Sequence, residues 1–191
     1  MTKPIQPTPG GMIVVLNGFP GTGKYTILKH LKALLPAHKP LHLLDNHLLI
    51  DPADALYPDR GDDHHELRHA IREVFFPHIS RLAQEGHVVL MTACLAADNA
   101  RDAAFFEEHL GLACLMDRAQ SSERVLSSKT KLTDASLLRE LVNVHRLIEP
   151  EESGDASTKL VVRSLDMNGE IDESVDRLMA IVGLPRGVRA G

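Results

Sequence analysis

Short apolar runs alternate with amphipathic segments along this chain of 191 residues. A run of about four to eight apolar residues is typical of a buried strand, whereas apolar residues at i, i+3 and i+4 are typical of a helix. The alternation predicts a three-layer α/β fold in which helices cover a parallel sheet. We predict five strands, at about 12–17, 41–45, 87–92, 112–117 and 159–165.

The first two helices are predicted from apolar spacing and from proline positions. One should span 24–35, because Pro36 follows. The second should begin after Asp62, and Pro77 should kink or end it. Its core-facing stripe is predicted to consist of Leu67, Ala70, Ile71, Val74 and Phe75.

Three later helices are predicted from residues that favour helix ends. Short polar side chains can cap the free N–H groups of a first turn, and glycine or proline commonly follows a last turn. The first of these helices is predicted to be capped by Asp98 and to run through His109, with Gly111 stopping it. The second is predicted to be capped by Thr133 and to end at about Leu147, before Pro150. The third is predicted to be capped by Asn168 and to end at about Val182.

Composition indicates one compact domain, residues 1–191, with a flexible polar tail at 1–11. Apolar residues make up 43% of the chain, and the net charge of -5 argues against broad binding to nucleic acid. Cys94 and Cys114 lie in apolar segments and are expected to be reduced core residues, so neither zinc nor a disulfide is indicated. No apolar run approaches membrane-spanning length, and we expect no membrane partner and a cytoplasmic location.

The stretch GFPGTGKYT has the spacing of a phosphate-binding loop between a strand and a helix. Gly18, Gly21 and Gly23 free the backbone to turn its amides inward. Lys24 stands where the helix begins, so amides, helix dipole and ammonium converge on one anion. The residues predicted to bind nucleotide are Gly18, Phe19, Pro20, Gly21, Thr22, Gly23, Lys24, Tyr25 and Thr26.

This loop resembles that of the nucleoside monophosphate kinases, whose pattern is Gly-x-Pro-Gly-x-Gly-Lys-Gly-Thr. Element order extends the resemblance to the adenylate, shikimate, gluconate, adenylylsulfate and chloramphenicol kinase groups. The resemblance implies a P-loop fold with strand order 2-3-1-4-5 and a small lid, and it implies ATP and Mg²⁺ as cofactors. It also implies that Thr26 contacts the α-phosphate, and Thr26 is a metal-site candidate. The phenol of Tyr25 is too long to place its oxygen where a serine hydroxyl would bind the metal, at an oxygen-to-metal distance of about 2.1 Å.

The second predicted strand ends in Asp45, Asn46 and His47, at the edge where parallel sheets bind ligands. In the gluconate, shikimate and adenylylsulfate kinase groups the comparable site resembles the pattern Asp-x-Asp. This resemblance implies that Asp45 serves the magnesium ion. Either His47 or Asp45 is the predicted base for an acceptor hydroxyl. The alternative is that Asp45 and Asn46 only cap the turn and that His47 packs. Thr92 stands where monophosphate kinases carry an aspartate, and its hydroxyl either meets metal-bound water or the acceptor, or the residue only packs in its strand.

Cationic side chains mark two further regions. In the predicted acceptor-binding region, about 46–76, Arg68 and Arg72 belong to a face that suits a carboxylated or phosphorylated acceptor, although a solvated face is the alternative. In the predicted lid, about 118–133, Arg118 and Arg124 are expected to steady the transferring phosphoryl group, as the resemblance implies.

These observations together predict an ATP-dependent phosphotransferase that acts on a small-molecule acceptor. The predicted catalytic residues are Lys24, Asp45, His47, Arg118 and Arg124. A nucleotide-binding module and a nucleotide hydrolase are the alternatives. The sequence leaves open the acceptor, the choice between ATP and GTP, and the oligomeric state.

Overall fold

The computed structural model describes residues 11–37, 39–115, 146–147, 163–166 and 169–184. Its sheet is parallel and has three strands, with β3 between β1 and β2. The registers place Met12 of β1 and Leu41 of β2 opposite Val88, so all three strands start at the same level. The strands are β1 (Met12–Asn17), β2 (Leu41–Leu44) and β3 (Val88–Ala93).

Five α-helices and one short 3-10 turn accompany the sheet in the described residues. The 3-10 turn, Asn46–Leu49, leads from β2 into α2. The helices are α1 (Lys24–Leu34), α2 (Asp51–Leu56), α3 (Asp62–Gln84), α4 (Ala100–Leu115) and α5 (Ile171–Val182).

The central strand β3 divides the core between the two faces of the sheet. Every residue of β3 is buried, and alternate residues of a strand point to opposite faces. Val88 and Leu90 belong to a cluster with α1 and α5. Val89 and Met91 belong to a second cluster with Phe76 and Ile79 of α3. The described part is therefore an α/β unit with helices on both sides of a parallel sheet.

The predicted five-stranded sheet with strand order 2-3-1-4-5 is wrong, because the described sheet has three strands. Residues 112–115 of the predicted fourth strand form the last turn of α4, and 163–165 of the fifth have no strand conformation. Residues 116–117 and 159–162 lie outside the described residues. A short apolar run has no period that separates a strand from a buried helix, and a helix tolerates Gly111 at a cost of about 1 kcal/mol.

Several predicted helix ends also differ from the structure. Helix α3 continues through Pro77 to its end, because Phe76 and Ile79 on either side bury their side chains against the sheet. Helix α4 is capped by Asn99 rather than by Asp98, since the Asn99 side chain accepts a hydrogen bond of 2.9 Å from the N–H of Arg101.

The last two predicted helices are tested only in part. Most of the segment predicted to follow Thr133 lies outside the described residues, but Leu147 forms an isolated antiparallel bridge with Ala96 and is not helical. Helix α5 follows Glu170 in the N-cap position, and the predicted cap, Asn168, lies outside the described residues.

Two histidines connect β2 to the start of β3. The rings of His42 and His87 stack with an interplanar angle of 5°, and His42 Nε2 lies 2.7 Å from His87 Nδ1. One nitrogen must donate and the other accept, which requires at least one neutral ring. Burial lowers the pKa of His42, and the charges of His87 and Lys32 lower it further. The folded protein therefore takes up a proton at His42 less readily than the unfolded chain.

This pair predicts a loss of stability in mild acid. Because the folded-state pKa is lowered, the contribution of His42 is present above its unfolded pKa of about 6.5 and is lost as the pH falls below that value. We expect the fall in Tm between about pH 7 and about pH 5 to be smaller in His42→Gln than in the wild type. The exposed His30 provides the control, and equal falls in His30→Gln, His42→Gln and wild type would contradict the prediction.

Candidate functional site

The segment from Gly18 to Gly23 connects β1 to α1 and begins against the end of β3. The N–H of Gly18 donates to the carbonyl of Ala93, at 3.2 Å. Gly21 and Gly23 have positive φ angles of 79° and 78°, and Gly23 occupies the N-cap position of α1. Residues in this left-handed conformation turn successive N–H groups toward the concave side of a loop. The backbone thus has the turn that a phosphate-binding loop requires.

The side chain of Lys24 folds back over this loop. Its ammonium donates to the carbonyls of Gly18 and Phe19, at 2.5 and 2.6 Å. The hydroxyl of Thr22 donates to the same Phe19 carbonyl, at 2.8 Å. Burial lowers the pKa of Lys24, although the charges of Cys94 and Asp45 act in the opposite direction. The first turn of α1 therefore delivers a positive charge into the loop, and the charge of Asp45 at the end of β2 acts on it.

The other predicted loop residues vary in exposure. Phe19 and Pro20 are half-buried, and so is Tyr25 in the first turn of α1. Thr26 follows it on the helix and is exposed. The predicted phosphate contact at Thr26 is therefore accessible from solvent.

Asp45 and Thr92 meet at the carboxyl ends of β2 and β3. The Thr92 hydroxyl donates to Asp45 Oδ1 at 3.1 Å, and it accepts from the N–H of Asn46 at 2.9 Å. The N–H of His47 also lies 3.4 Å from Asp45 Oδ1 and caps the 3-10 turn. Asp45 therefore performs the capping role that the sequence left as an alternative. The same bonds hold its carboxylate at the sheet edge where Lys24 lies.

His47 has a carboxylate partner that the sequence reasoning missed. Its Nδ1 lies 3.4 Å from Oδ1 of Asp51 in the first turn of α2. The His47 side chain is 28% exposed, whereas that of Asp51 is 9% exposed. The spacing of four residues was a sequence signal for this pair, because such residues become neighbours in helical turns. A carboxylate that orients an imidazole is a common arrangement around a general base.

The side chain of Arg72 is buried rather than exposed to solvent. Its guanidinium carbon lies 3.6 Å from the centre of the Phe105 ring, and its Nε donates to Glu108 of α4. Partial burial alone would raise the pKa of Glu108, but the hydrogen bonds and charges of Arg72 and His69 outweigh it, and the pKa is lowered. The ion pair between Arg72 and Glu108 therefore connects α3 to α4. Sequence reasoning missed Phe105 and Glu108, which lie three residues apart on one helix.

Arg68 lies one turn before Arg72 but forms no comparable ion pair within the described part of the chain. It is half-buried, and its guanidinium carbon lies 5.1 Å from the same Phe105 ring. Its Nε is buried and has no hydrogen-bond partner among the described residues. Burial lowers its pKa to about 10, and the charge of Arg72 contributes to this shift. In the part of the chain that the structure describes, one of the two predicted acceptor residues, Arg72, therefore has an ion-pair partner and the other does not.

Other predictions are only partly covered by the described residues. Arg118, Arg124 and the predicted lid at 118–133 lie outside them. Where side chains are described, no group of three or more His, Cys, Asp or Glu residues is placed to hold a metal ion. A magnesium ion on a nucleotide needs only about one or two carboxylates, because phosphates and water fill its other positions. Asp45 fits that requirement.

The described helices include none with the length and apolar content needed to cross a membrane. Comparisons with known proteins add little. No protein-family model matches the chain, and no curated protein matches it. One solved structure, titled "Crystal structure of APE1195", is similar over 92% of this chain and 96% of its own, with 17% sequence identity and a TM-score of 0.48. These comparisons assign no family to the chain.

Proposed function

We propose that this protein is a phosphotransferase that moves the γ-phosphoryl group of ATP to a small-molecule acceptor. The observation that carries the proposal is the position of the Lys24 ammonium inside the loop from Gly18 to Gly23, with Asp45 interacting with it electrostatically. The resemblance of this loop to that of nucleoside monophosphate kinases supports the same conclusion. A cytoplasmic location is part of the proposal, because ATP is the donor.

Nucleotide binding follows from the groups that converge at the start of α1. The loop amides, the positive end of the helix dipole and the Lys24 ammonium all favour a polyphosphate. The ammonium is already held at the loop by two carbonyl oxygens, so little side-chain freedom is lost when phosphate oxygens replace them. The proposed roles are contact of Lys24 with the β- and γ-phosphates and contact of Thr26 with the α-phosphate.

Asp45 is the proposed protein partner of magnesium. Carboxylate oxygens are preferred ligands of this ion, and the Thr92 hydroxyl restricts the rotation of the Asp45 carboxylate. When bound, Mg²⁺ neutralises charge on the β- and γ-phosphates. Asp45 therefore suits a metal ion that arrives bound to the nucleotide, rather than a site in which protein ligands alone surround the metal.

Transfer to an acceptor, rather than binding alone, is favoured by the His47 and Asp51 pair. Asp51 orients the imidazole through Nδ1, in the way that carboxylates orient general bases. His47 would take the proton of the acceptor hydroxyl as its oxygen bonds to the γ-phosphorus. The bond from that phosphorus to the β,γ-bridging oxygen breaks, and ADP leaves. Arg118 and Arg124 stay predictions from sequence for steadying the transferring group.

Replacement of Asp45 by asparagine tests this proposal. The change keeps the shape and one acceptor oxygen but removes the charge that would serve Mg²⁺. We expect kcat for acceptor-dependent ADP formation to fall about 100-fold, while the affinity for nucleotide without metal changes little. The measurement is ADP release with a panel of hydroxylated metabolites, at several Mg²⁺ concentrations.

Asp172→Asn is the matched control, because Asp172 lies on α5 and its side chain is 92% exposed. It should retain wild-type rates. The proposal fails if the wild type binds ATP but no acceptor raises ADP formation above the rate in water. Such a result would favour a binding module or a hydrolase. Unchanged kinetics in Asp45→Asn would remove Asp45 from the mechanism.

A further inference from the structure

Apolar side chains lie on the side of α3 that faces solvent. The sequence predicts that Ala70 and Val74 face the core, but both are exposed, Val74 to 65%. Helix α3 instead buries Phe76 and Ile79 against the sheet. One exposed apolar residue on a surface is ordinary, whereas a row of them along a helix indicates a contact surface.

The row has the spacing of positions that meet a partner helix. We call it the apolar seam, and it consists of Leu67, Ala70, Val74 and Pro77. Leu67 is half-buried, and the other three residues are exposed. The residues follow one another at steps of three, four and three, which is the pattern by which contact positions recur in paired helices. The apolar seam can therefore receive a second helix along about three turns.

The apolar seam is self-complementary when two copies of α3 run antiparallel. A two-fold axis midway between Ala70 and Val74 places Ala70 opposite the partner's Val74. The same axis places Leu67 opposite the partner's Pro77. Each pair joins a larger side chain to a smaller one, which suits two helices packed about 8–10 Å apart. Two identical faces can thus fit each other without a second kind of protein.

The charges beside the apolar seam favour the antiparallel arrangement. Asp63 and Glu66 are exposed near the start of α3, and neither carboxylate forms an ion pair with another residue in the part of the chain that the structure describes. His78 and Arg81 lie near the end of the helix, and Arg81 is buried beside Glu85. The two-fold axis places Glu66 opposite the partner's His78. A parallel pair would instead place Glu66 beside the partner's Glu66, and like charges repel each other.

A partner on the apolar seam would leave the other contacts of α3 intact. Successive residues turn by about 100° around a helix, so Val74 lies nearly opposite both Arg72 and Phe76. Arg72 pairs with Glu108 of α4, and Phe76 packs on the sheet. The apolar seam therefore lies on the side of α3 away from the protein's own core.

We propose that two copies of this chain form a symmetric dimer in which their α3 helices pack antiparallel through the apolar seam. This inference does not depend on the proposed function, because the apolar seam contains none of the predicted catalytic or nucleotide-binding residues. We expect a dissociation constant in the micromolar range, since one pair of helices buries less area than a standard protein interface.

Sedimentation equilibrium tests the dimer and its surface together. Loading concentrations from about 1 to about 500 μM cover the expected dissociation constant. In Val74→Glu a charge would be buried against the partner's Ala70, once in each half of the dimer. We expect the dissociation constant to rise at least about 100-fold. Ala70→Glu should have the same effect, and it tests the same surface if Val74→Glu does not fold.

Ile171→Glu is the matched control. Ile171 is also apolar and 41% exposed, but it lies on α5, which packs on the opposite face of the sheet from α3. It should leave the dissociation constant near the wild-type value, and the Tm of each variant shows whether it is folded. A wild type with the mass of one chain at every concentration would overturn the proposal. A dimer that folded Val74→Glu and Ala70→Glu leave intact, or that Ile171→Glu weakens equally, would also overturn it.

A charge reversal tests the antiparallel register. Glu66→Lys removes the carboxylate opposite the partner's His78, and we expect the dissociation constant to rise about tenfold. Adding His78→Glu to Glu66→Lys restores opposite charges and should return the dissociation constant toward the wild-type value. Asp172→Lys makes the same charge change on α5 and should have no effect. A folded double variant that dimerises more weakly than Glu66→Lys alone would overturn the antiparallel pairing.

Discussion

Replacement of Lys24 by alanine is expected to lower kcat/KM for phosphoryl transfer about 1,000-fold. The change removes a charge that interacts with the loop carbonyls of Gly18 and Phe19 and with Asp45. No other described side chain delivers an ammonium to that loop. The effect should fall on transfer more than on folding, because Lys24 belongs to neither of the large core clusters. ADP release at saturating Mg²⁺ and ATP measures it.

Lys29→Ala is the matched control, since Lys29 lies on the same helix and is exposed. It should leave both kcat/KM and Tm near wild type. Thermal unfolding of Lys24→Ala separates a loss of chemistry from a loss of structure. Transfer within about tenfold of wild type in a folded Lys24→Ala protein would contradict the assignment of the loop.

Replacement of Gly11 by alanine is expected to have the largest effect on stability. A Cβ at this position would lie 2.0 Å from the carbonyl oxygen of His87 and 2.5 Å from that of Ala83. Both are backbone atoms at the junction of α3 and β3, so neither can rotate away as a side chain can. The N–H of Gly11 also donates to Ala83, at 3.0 Å. We expect the free energy of unfolding in urea to fall by about 3 kcal/mol.

Gly61→Ala provides the comparison at an open position. The nearest atom to a Cβ there is the carboxylate oxygen of Asp59, at 3.3 Å, and this exposed side chain can move. Its effect should lie within about 0.5 kcal/mol of wild type. Similar losses in both variants would contradict the prediction, because of these two positions only Gly11 has backbone atoms within clashing distance of an added Cβ.

The elements around the glycine loop, residues 18–23, could be predicted because local signals agree there. An apolar run specifies the strand, the glycines specify the turn, and the lysine marks the start of the helix. The strand β1 and the helix α1 lie where the pattern predicted. The fourth and fifth strands were predicted from apolar runs alone, without such support. The run ending at Leu115 continues a helix, and periodicity over so few residues cannot distinguish the two states.

The candidate site was predictable as a set of residue types but not as a set of contacts. Asp45 and Thr92 are 47 residues apart, and their hydrogen bond exists because β2 and β3 are parallel neighbours whose register pairs the preceding residues, Leu44 and Met91. The partners of Arg68 and Arg72 depend on where α4 packs, and helical spacing on α3 gave both arginines the same role. Glu108 makes them different, because it pairs with Arg72 and not with Arg68.

By itself the sequence determined the glycine loop between β1 and α1, since a strand, glycines at set spacing and Lys24 are all local in the chain. It also determined which polar residues end β2, because they follow an apolar run directly. The tertiary structure alone decided which charges are neutralised and which buried nitrogens lack partners. Burial and ion pairing join residues distant in sequence, such as Arg72 and Glu108, and no local pattern encodes that proximity.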